Sequence, residues 1–325
     1  MAVSFPAVDS PAESNGLHVA EALADTPQGT SLGRLGAMGA WMAAVQGRDV
    51  PVPFTNPRAI VVAGHHGIAQ RGISAWKPED GAAQAAEVAA GGGPVNAAAR
   101  LAGASVRLID EYLATPTGCI DVEPAMSPEA LAEAIAHGAA TADRDIDGGA
   151  DLIIPGDIGP GNSAIAATVY ATFTVTEPVL AIGRGSGIDD NTWKTKVTVI
   201  RDAMFRTRNF RSDTERVLAE LSGPDFAFLV GLIAQSAVRK TPVLIDGVYV
   251  AVAAYVAERL APGTKRWLLA SQLSAEPAHA GCMQALELTP VLALDMATGQ
   301  GTGALAALPQ LNLAAELVSE ALGLE

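Results

Sequence analysis

Short apolar runs that alternate with alanine-rich helical stretches predict an α/β fold, a doubly wound parallel sheet of the Rossmann-like kind. Three observations carry that expectation. The runs AIVVAG (59–64), VRLID (106–110), DLIIPG (151–156), VLAIG (179–183), TPVLIDG (241–247) and WLLAS (267–271) are continuously apolar, as strands covered on both faces are. Each stops at a glycine or a polar residue. Helical stretches separate them at 82–102, 128–138, 163–172, 193–206, 226–239 and 248–260, which gives parallel strands their crossovers.

The elements follow in order. Residues 1–28 mix Pro, Ser, Asp and Ala around a short helical pattern at 17–23, which needs a partner surface to fold on. Leu32, Leu35, Met38, Met42 and Val45 recur at helical spacing and predict an amphipathic helix over 32–45. The large α/β unit is expected over 57–308. The polar stretch 206–224 reads as a surface connection inside it. After it comes a helix over 311–322, with Leu313, Leu317, Val318, Ala321 and Leu322 as its apolar stripe.

Composition limits what such a chain does. Of 325 residues 49% are hydrophobic, 17% charged and 5% aromatic, with alanine and glycine dominant, so a sizeable core of small residues is expected. A formal charge of −14 without a Lys/Arg cluster argues against a nucleic-acid partner. Cys119 and Cys282 sit in no metal-binding spacing and cannot form a disulfide framework; no metal or cofactor is expected. No apolar stretch reaches the roughly 18 residues of a membrane span, and the N-terminus lacks a basic segment followed by an apolar one, so a cytoplasmic protein with no membrane partner is expected.

Sheets of this kind bind ligands beyond the carboxyl ends of their strands, where this chain carries its polar glycine-rich turns. In GDIGPGNS (156–163), Gly156 and Gly161 allow close approach, and Asn162 and Ser163 open a helix; they serve either as N-caps or as part of an anion site. Asp157 in the same turn is a candidate acid/base, a ribose-hydroxyl acceptor or a structural acceptor. GRGSG (183–187) offers Arg184 and Gly185, with Lys196 following, as a second anion loop. His65 and His66 in GHHG are a pair of loop imidazoles able to act as bases near neutral pH. Ser271, Ser274, Glu276 and His279 have the residue types of a hydrolase triad, but no GxSxG elbow accompanies them. Near the C-terminus, MATGQGTG (296–303) sets Gln300 between Gly299 and Gly301, so an amide unable to take a proton is the one large side chain in a loop built for backbone approach.

Taken together, GTSLGRLGAMGAWMAAVQG (29–47), VVAGHHGIAQRGISAW (61–76), GGGPVNAAARLAGA (91–104), GADLIIPGDIGPGNSAIAAT (149–168), GRGSGIDDNTWKTKVTVIRDA (183–203), TPVLIDGV (241–248), LSAEPAHAG (273–281) and the Gln300 loop resemble the nicotinate-nucleotide:dimethylbenzimidazole phosphoribosyltransferases, in order and spacing from about 29 to 308. The resemblance implies transfer of the phosphoribosyl group of nicotinate mononucleotide to dimethylbenzimidazole, giving an α-ribazole phosphate, a step of cobalamin lower-ligand synthesis. It also implies a homodimer in which segments 1–56 and 309–325 form a small helical domain. Lys196, Asn162 and Ser163 would hold the phosphate, with Gly156, Gly161, Arg184 and Gly185 alongside, and Asp157 would lie by the ribose. Trp76, Gln84, His66, Gly299 and Gly301 would surround the base. The chain departs from the pattern in three places. His65 replaces an aspartate, Ala164 one of two threonines, and Gln300 the glutamate that is the family's general base. The readings that follow are a transferase in which Asp157 or water takes the proton, a weak or inactive paralogue that binds nucleotide or base or joins a heteromer, and a different enzyme in the same crevice. The turns at 64–67, 156–163, 183–187 and 299–303 are expected to converge on that crevice.

Overall fold

The computed structural model describes residues 3–323. Five parallel strands, β1 (Pro57–Ala63), β2 (Ser105–Ile109), β3 (Leu152–Ile158), β4 (Val243–Ile245) and β5 (Leu268–Ala270), form one sheet in the order β2-β1-β3-β4-β5. The pleat explains the unbroken apolar runs. Along β1, Ile60 and Val62 enter one core with the helices Pro128–Asp147, Asn162–Thr174, Pro224–Val238 and Gly247–Leu260, while Ala59, Val61 and Ala63 enter a second with Met38, Met42, Val95 and Leu308. Central strands such as β1 and β3 are buried along most of their length, whereas the edge strand β2 starts at an exposed Ser105 and leaves Arg107 partly exposed.

The chain leaves β1 for β2 on one side and returns to β3 on the other, so the winding direction reverses between β1 and β3, and a crevice opens there. Register sets Ala63 opposite Ile158. The Gly64 N–H then donates to the Ile158 carbonyl at 2.9 Å, which holds the turns after the two strands side by side.

Three expectations are corrected, and one short strand pair is added. Residues 179–183 are not a strand: Pro178, whose φ suits a first helical turn, opens the short helix Pro178–Ala181. The stretch 82–102 is two helices, Asp80–Ala89 and Gly93–Ala102, broken where Gly91 and Gly93 take left-handed φ of 81° and 74°. Segment 206–224 is not merely a surface connection. It holds the helix Thr214–Leu221, capped by Asp213 and burying Val217, Leu218 and Leu221. A parallel pair, β6 (Gln272–Leu273) with β7 (Leu292–Ala293), is too short and too polar to stand out by pattern.

The terminal helices pack together. Val19, Leu23, Ala40, Ala43 and Val318 form one cluster, joining the helices Glu13–Ala24, Arg34–Gln46 and Thr302–Leu322. The last helix runs through Pro309 and buries Leu311, Ala314, Ala315 and Val318, whereas Leu313 of the expected stripe is 44% exposed. Among the described residues no helix is long and apolar enough to cross a membrane.

Candidate functional site

At the reversal point a cleft is lined by residues 157–163, at and beyond the end of β3, by residues 246–249 after β4, by Gly185 and Ser186, and by Trp76, Gln84 and Met296–Gly299. Asp157, the penultimate residue of β3, is only partly accessible. Burial pushes its carboxyl pKa up to about 6, against a hydrogen bond accepted from Asn162 Nδ2 at 2.7 Å and with help from the nearby carboxylates Asp246 and Asp225. Asp246 follows β4, where it accepts the Gly303 N–H at 2.7 Å and Gln272 Nε2–H at 3.0 Å; burial raises its pKa against those bonds.

One side of the cleft is built from buried polar contacts. Lys196 Nζ donates to Ser163 Oγ at 2.9 Å and to the Gly183 carbonyl at 3.4 Å. Burial lowers the ammonium pKa, opposed by the Glu276 charge. Glu276 accepts the N–H groups of Gly183 (3.2 Å) and Gly185 (2.6 Å), so a side-chain carboxylate already occupies part of the GRGSG turn. Gly185 is at φ +53°, and a Cβ there would stand 2.6 Å from Ser163 Oγ. Arg184 points elsewhere: it donates to the Ile188 carbonyl at 2.9 Å, pairs with Asp190, and is exposed.

The other side is more open. Trp76 is 52% exposed at the rim, and Ser74 and Ser186 join the two sides through their hydroxyls at 3.2 Å. Gly299, Gln300 and Gly301 are three successive left-handed residues, with φ of 67°, 62° and 72°. The Gln300 N–H donates to the Asp157 carbonyl at 3.0 Å, and a Cβ on Gly156 would lie 2.3 Å from the Gln300 carbonyl carbon, so this loop and β3 touch backbone to backbone. The Gln300 side chain is buried and accepts the Val95 N–H at 3.4 Å, at the start of the helix Gly93–Ala102.

Of the residues singled out by sequence, Trp76, Gln84, Asp157, Gly161, Asn162, Ser163, Gly185 and Gly299 line this cleft, and Lys196 stands directly behind Ser163. Gly156, Gln300 and Gly301 form the backbone support behind it. Two corrections concern the histidines. His66 does not face the cleft: it is fully buried, its Nε2 lies 3.3 Å from Asp225 Oδ2, and the Tyr249 hydroxyl donates to the same oxygen at 2.7 Å. The half-buried His65 is not among the cleft-lining residues. Burial works to lower the His66 pKa but Asp225 outweighs it, and the imidazolium in turn holds Asp225 low against its own burial. The triad look-alike dissolves as well: His279 Nδ1 contacts Ser274 Oγ at 2.9 Å, Glu276 is spent on the Gly183 and Gly185 amides, and burial pushes His279 down to about 4. Sequence reading gave no role to Asp246 and Tyr249, both of which line the cleft. Asp246 had a usable signal, since it follows β4 as Asp157 stands near the end of β3.

Comparisons with known proteins agree with this fold. A phosphoribosyltransferase family model matches residues 7–324. The chain is similar to the nicotinate-nucleotide–dimethylbenzimidazole phosphoribosyltransferase of Corynebacterium glutamicum, 45% identical over 300 residues that cover 89% of this chain and 84% of that one. It is also similar to the protein of the same name in Mycobacterium avium, 44% identical over 327 residues covering 95% and 93%. Among solved structures, the crystal structure of CobT from Thermus thermophilus superposes with a TM-score of 0.88 at 29% identity, covering 97% of this chain and 99% of that one.

Proposed function

The chain belongs to the phosphoribosyltransferase family, and from that premise we propose that it moves the phosphoribosyl group of nicotinate mononucleotide to dimethylbenzimidazole, releasing nicotinate and forming an α-ribazole phosphate. A lone pair of one benzimidazole nitrogen attacks C1′ from the face opposite nicotinate. The C1′–N bond breaks, its electron pair leaves with nicotinate and neutralises the pyridinium, and the second ring nitrogen gives up its proton.

The observation that carries the proposal is the cleft's pairing of a largely desolvated carboxyl, Asp157, with the Ser163–Lys196 contact at a helix N-terminus. In this reading Gly161, Asn162, Ser163, Gly185 and Lys196 hold the phosphate, and Trp76, Gln84 and Gly299 border the base. Asp157 takes the ring proton, because Gln300 cannot. A group with a pKa about 6 is ionised at neutral pH yet basic enough to act as a general base. Lys196 is dehydrated and has no direct carboxylate partner, so a phosphate oxygen entering beside it gains a strong charge-assisted contact. A cytoplasmic homodimer completes the reading, and sedimentation as a single 33.1 kDa chain at micromolar concentration would remove the dimer.

The test is direct. Purified protein with nicotinate mononucleotide and dimethylbenzimidazole should release nicotinate and form α-ribazole phosphate in equal amounts, as followed by chromatography. Binding of the nucleotide without nicotinate release, for dimethylbenzimidazole and a panel of other aromatic bases alike, would leave a binding paralogue instead.

A further inference from the structure

Beneath the cleft lies a buried polar cluster that the transfer chemistry above does not use. Asp225 opens the helix Pro224–Val238 and is enclosed by glycines. A Cβ on Gly64 would lie 2.3 Å from its Cγ, and one on Gly223 would lie 2.6 Å from its Oδ1 and 2.8 Å from His66 Cε1. Its Oδ2 meets His66 Nε2 and the Tyr249 hydroxyl. On the far side of the imidazole, His66 Nδ1 is buried with no hydrogen-bond partner, and so is Asn162 Oδ1. The other end of the Asn162 amide is the donor to Asp157 Oδ2, at 2.7 Å. A donor and an acceptor left unmade in a dry interior are costly, and each of these is what the other lacks.

We propose that His66 Nδ1–H closes onto Asn162 Oδ1, so that Asp225, His66 and Asn162 form a one-way hydrogen-bond relay that holds Asp157 as a proton acceptor. Both imidazole nitrogens donate only when the ring is cationic, and the Asp225 carboxylate supplies the counter-charge inside the fold. Asn162 then has its oxygen committed to His66, and only its NH₂ can face Asp157. The amide cannot flip. His66 is therefore a positioning residue that acts through Asn162.

The relay works against everything else around Asp157. Burial, Asp246 from the end of β4 and Asp225 itself favour the neutral acid, while Asn162 and the His66 charge favour the carboxylate. The groups that face His66 are Asp225, Tyr249 from the helix Gly247–Leu260, Asn162 and, farther off, Asp157. Asn162 already acts on His66 as an acceptor would, raising its pKa, although the two orphan atoms stand short of hydrogen-bond geometry.

The kinetic consequence rests on the transferase reading, whereas the relay itself does not, and the experiment separates them. In ¹⁵N-histidine NMR of the full-length protein, the His66 ring should show two protonated nitrogens at pH 7 and lose that signature in Asp225→Asn. A neutral His66 ring at pH 7 in the parent overturns the relay whatever the activity. In His66→Gln, the acid limb of kcat/KM, near pH 6 in the parent, should move up by about one pH unit, with KM for the nucleotide within about twofold. A uniform loss at every pH would reduce His66 to a structural part and overturn the relay. If His66→Gln does not fold, Asn162→Ser should give the same displaced limb with His66 still cationic. An imidazolium in the parent together with no nicotinate release at any pH would sink the transferase reading and leave the relay standing.

Discussion

The two sides of the cleft are built differently. The side proposed to take the nucleotide is made of groups that hold one another: Lys196 on Ser163, Glu276 on the amides of Gly183 and Gly185, Asn162 on Asp157. The acceptor side is a half-exposed tryptophan, a partly buried glutamine and a loop whose one large side chain turns to Val95. On the proposed reading, preorganisation sits where the substrate carries charge, and the apolar ring meets mostly rim and backbone. A change on the first side should cost chemistry or affinity; one on the second should adjust the choice of acceptor.

The largest effect should come from Asp157→Asn. Nicotinate release should fall by roughly two to four orders of magnitude as the general base is lost, with nucleotide binding retained in calorimetry. The parent's kcat/KM should fall as pH drops through about 6 and be flat above. Stability carries the opposite sign. The folded pKa of Asp157 is raised above its ordinary 3.8, so its contribution is whole below about 3.8 and lost as pH rises through about 6. Asp157→Asn should therefore raise Tm at pH 8, by up to about 3 kcal/mol of stability, and leave it unchanged at pH 3. A variant that loses activity and stability together would mark Asp157 as a structural acceptor.

Lys196→Ala removes one charge-assisted contact, about 1.5 to 3 kcal/mol, and should weaken nicotinate mononucleotide binding about tenfold or more. Unchanged affinity would detach the lysine from the phosphate. Gln300→Glu tests the acceptor side. A carboxylate at 300 keeps the Val95 N–H and the positive end of its helix as partners, which hold it back from the cleft. Transfer to dimethylbenzimidazole should then rise about tenfold, below the two to four orders of a freely placed base. A larger rise would move proton transfer from Asp157 to the loop. Trp76→Ser should be the mildest, shifting KM for the acceptor a few-fold with stability within about 0.5 kcal/mol, since the ring is half-exposed.

Much of this was legible beforehand, and what was not has physical reasons. Strands β1, β3, β4 and β5 announced themselves because both faces are largely buried, which erases alternation and leaves apolar runs; the edge strand β2 showed through its short apolar run although most of it is only partly buried. VLAIG looked the same but became a helix, since a five-residue apolar run has no period to read and Pro178 decided it locally. The residues after β3 could be placed at the cleft because a glycine-rich strand-to-helix turn has few other uses. His66 could not be placed: GHHG is equally good as a rim or as a floor, and only the distant Asp225 and Tyr249 pull it under. Glu276 in the GRGSG turn was likewise invisible, because its partners lie some ninety residues away.

The helix Thr302–Leu322 begins with its Gly303 N–H on Asp246 and ends among the helices of the N-terminal segment. At 21 residues it is a rod of about 30 Å. Pro309, which removes one rung of its ladder, is its weak point. A rod fixed at one end to the cleft floor transmits what is done at the other. Shaving Val318 from its seat against Gly39 should therefore lower Tm and, because the same helix carries the Gly303 N–H that Asp246 accepts, also disturb the cleft floor, which loss of activity in Val318→Ala at temperatures well below its Tm would reveal.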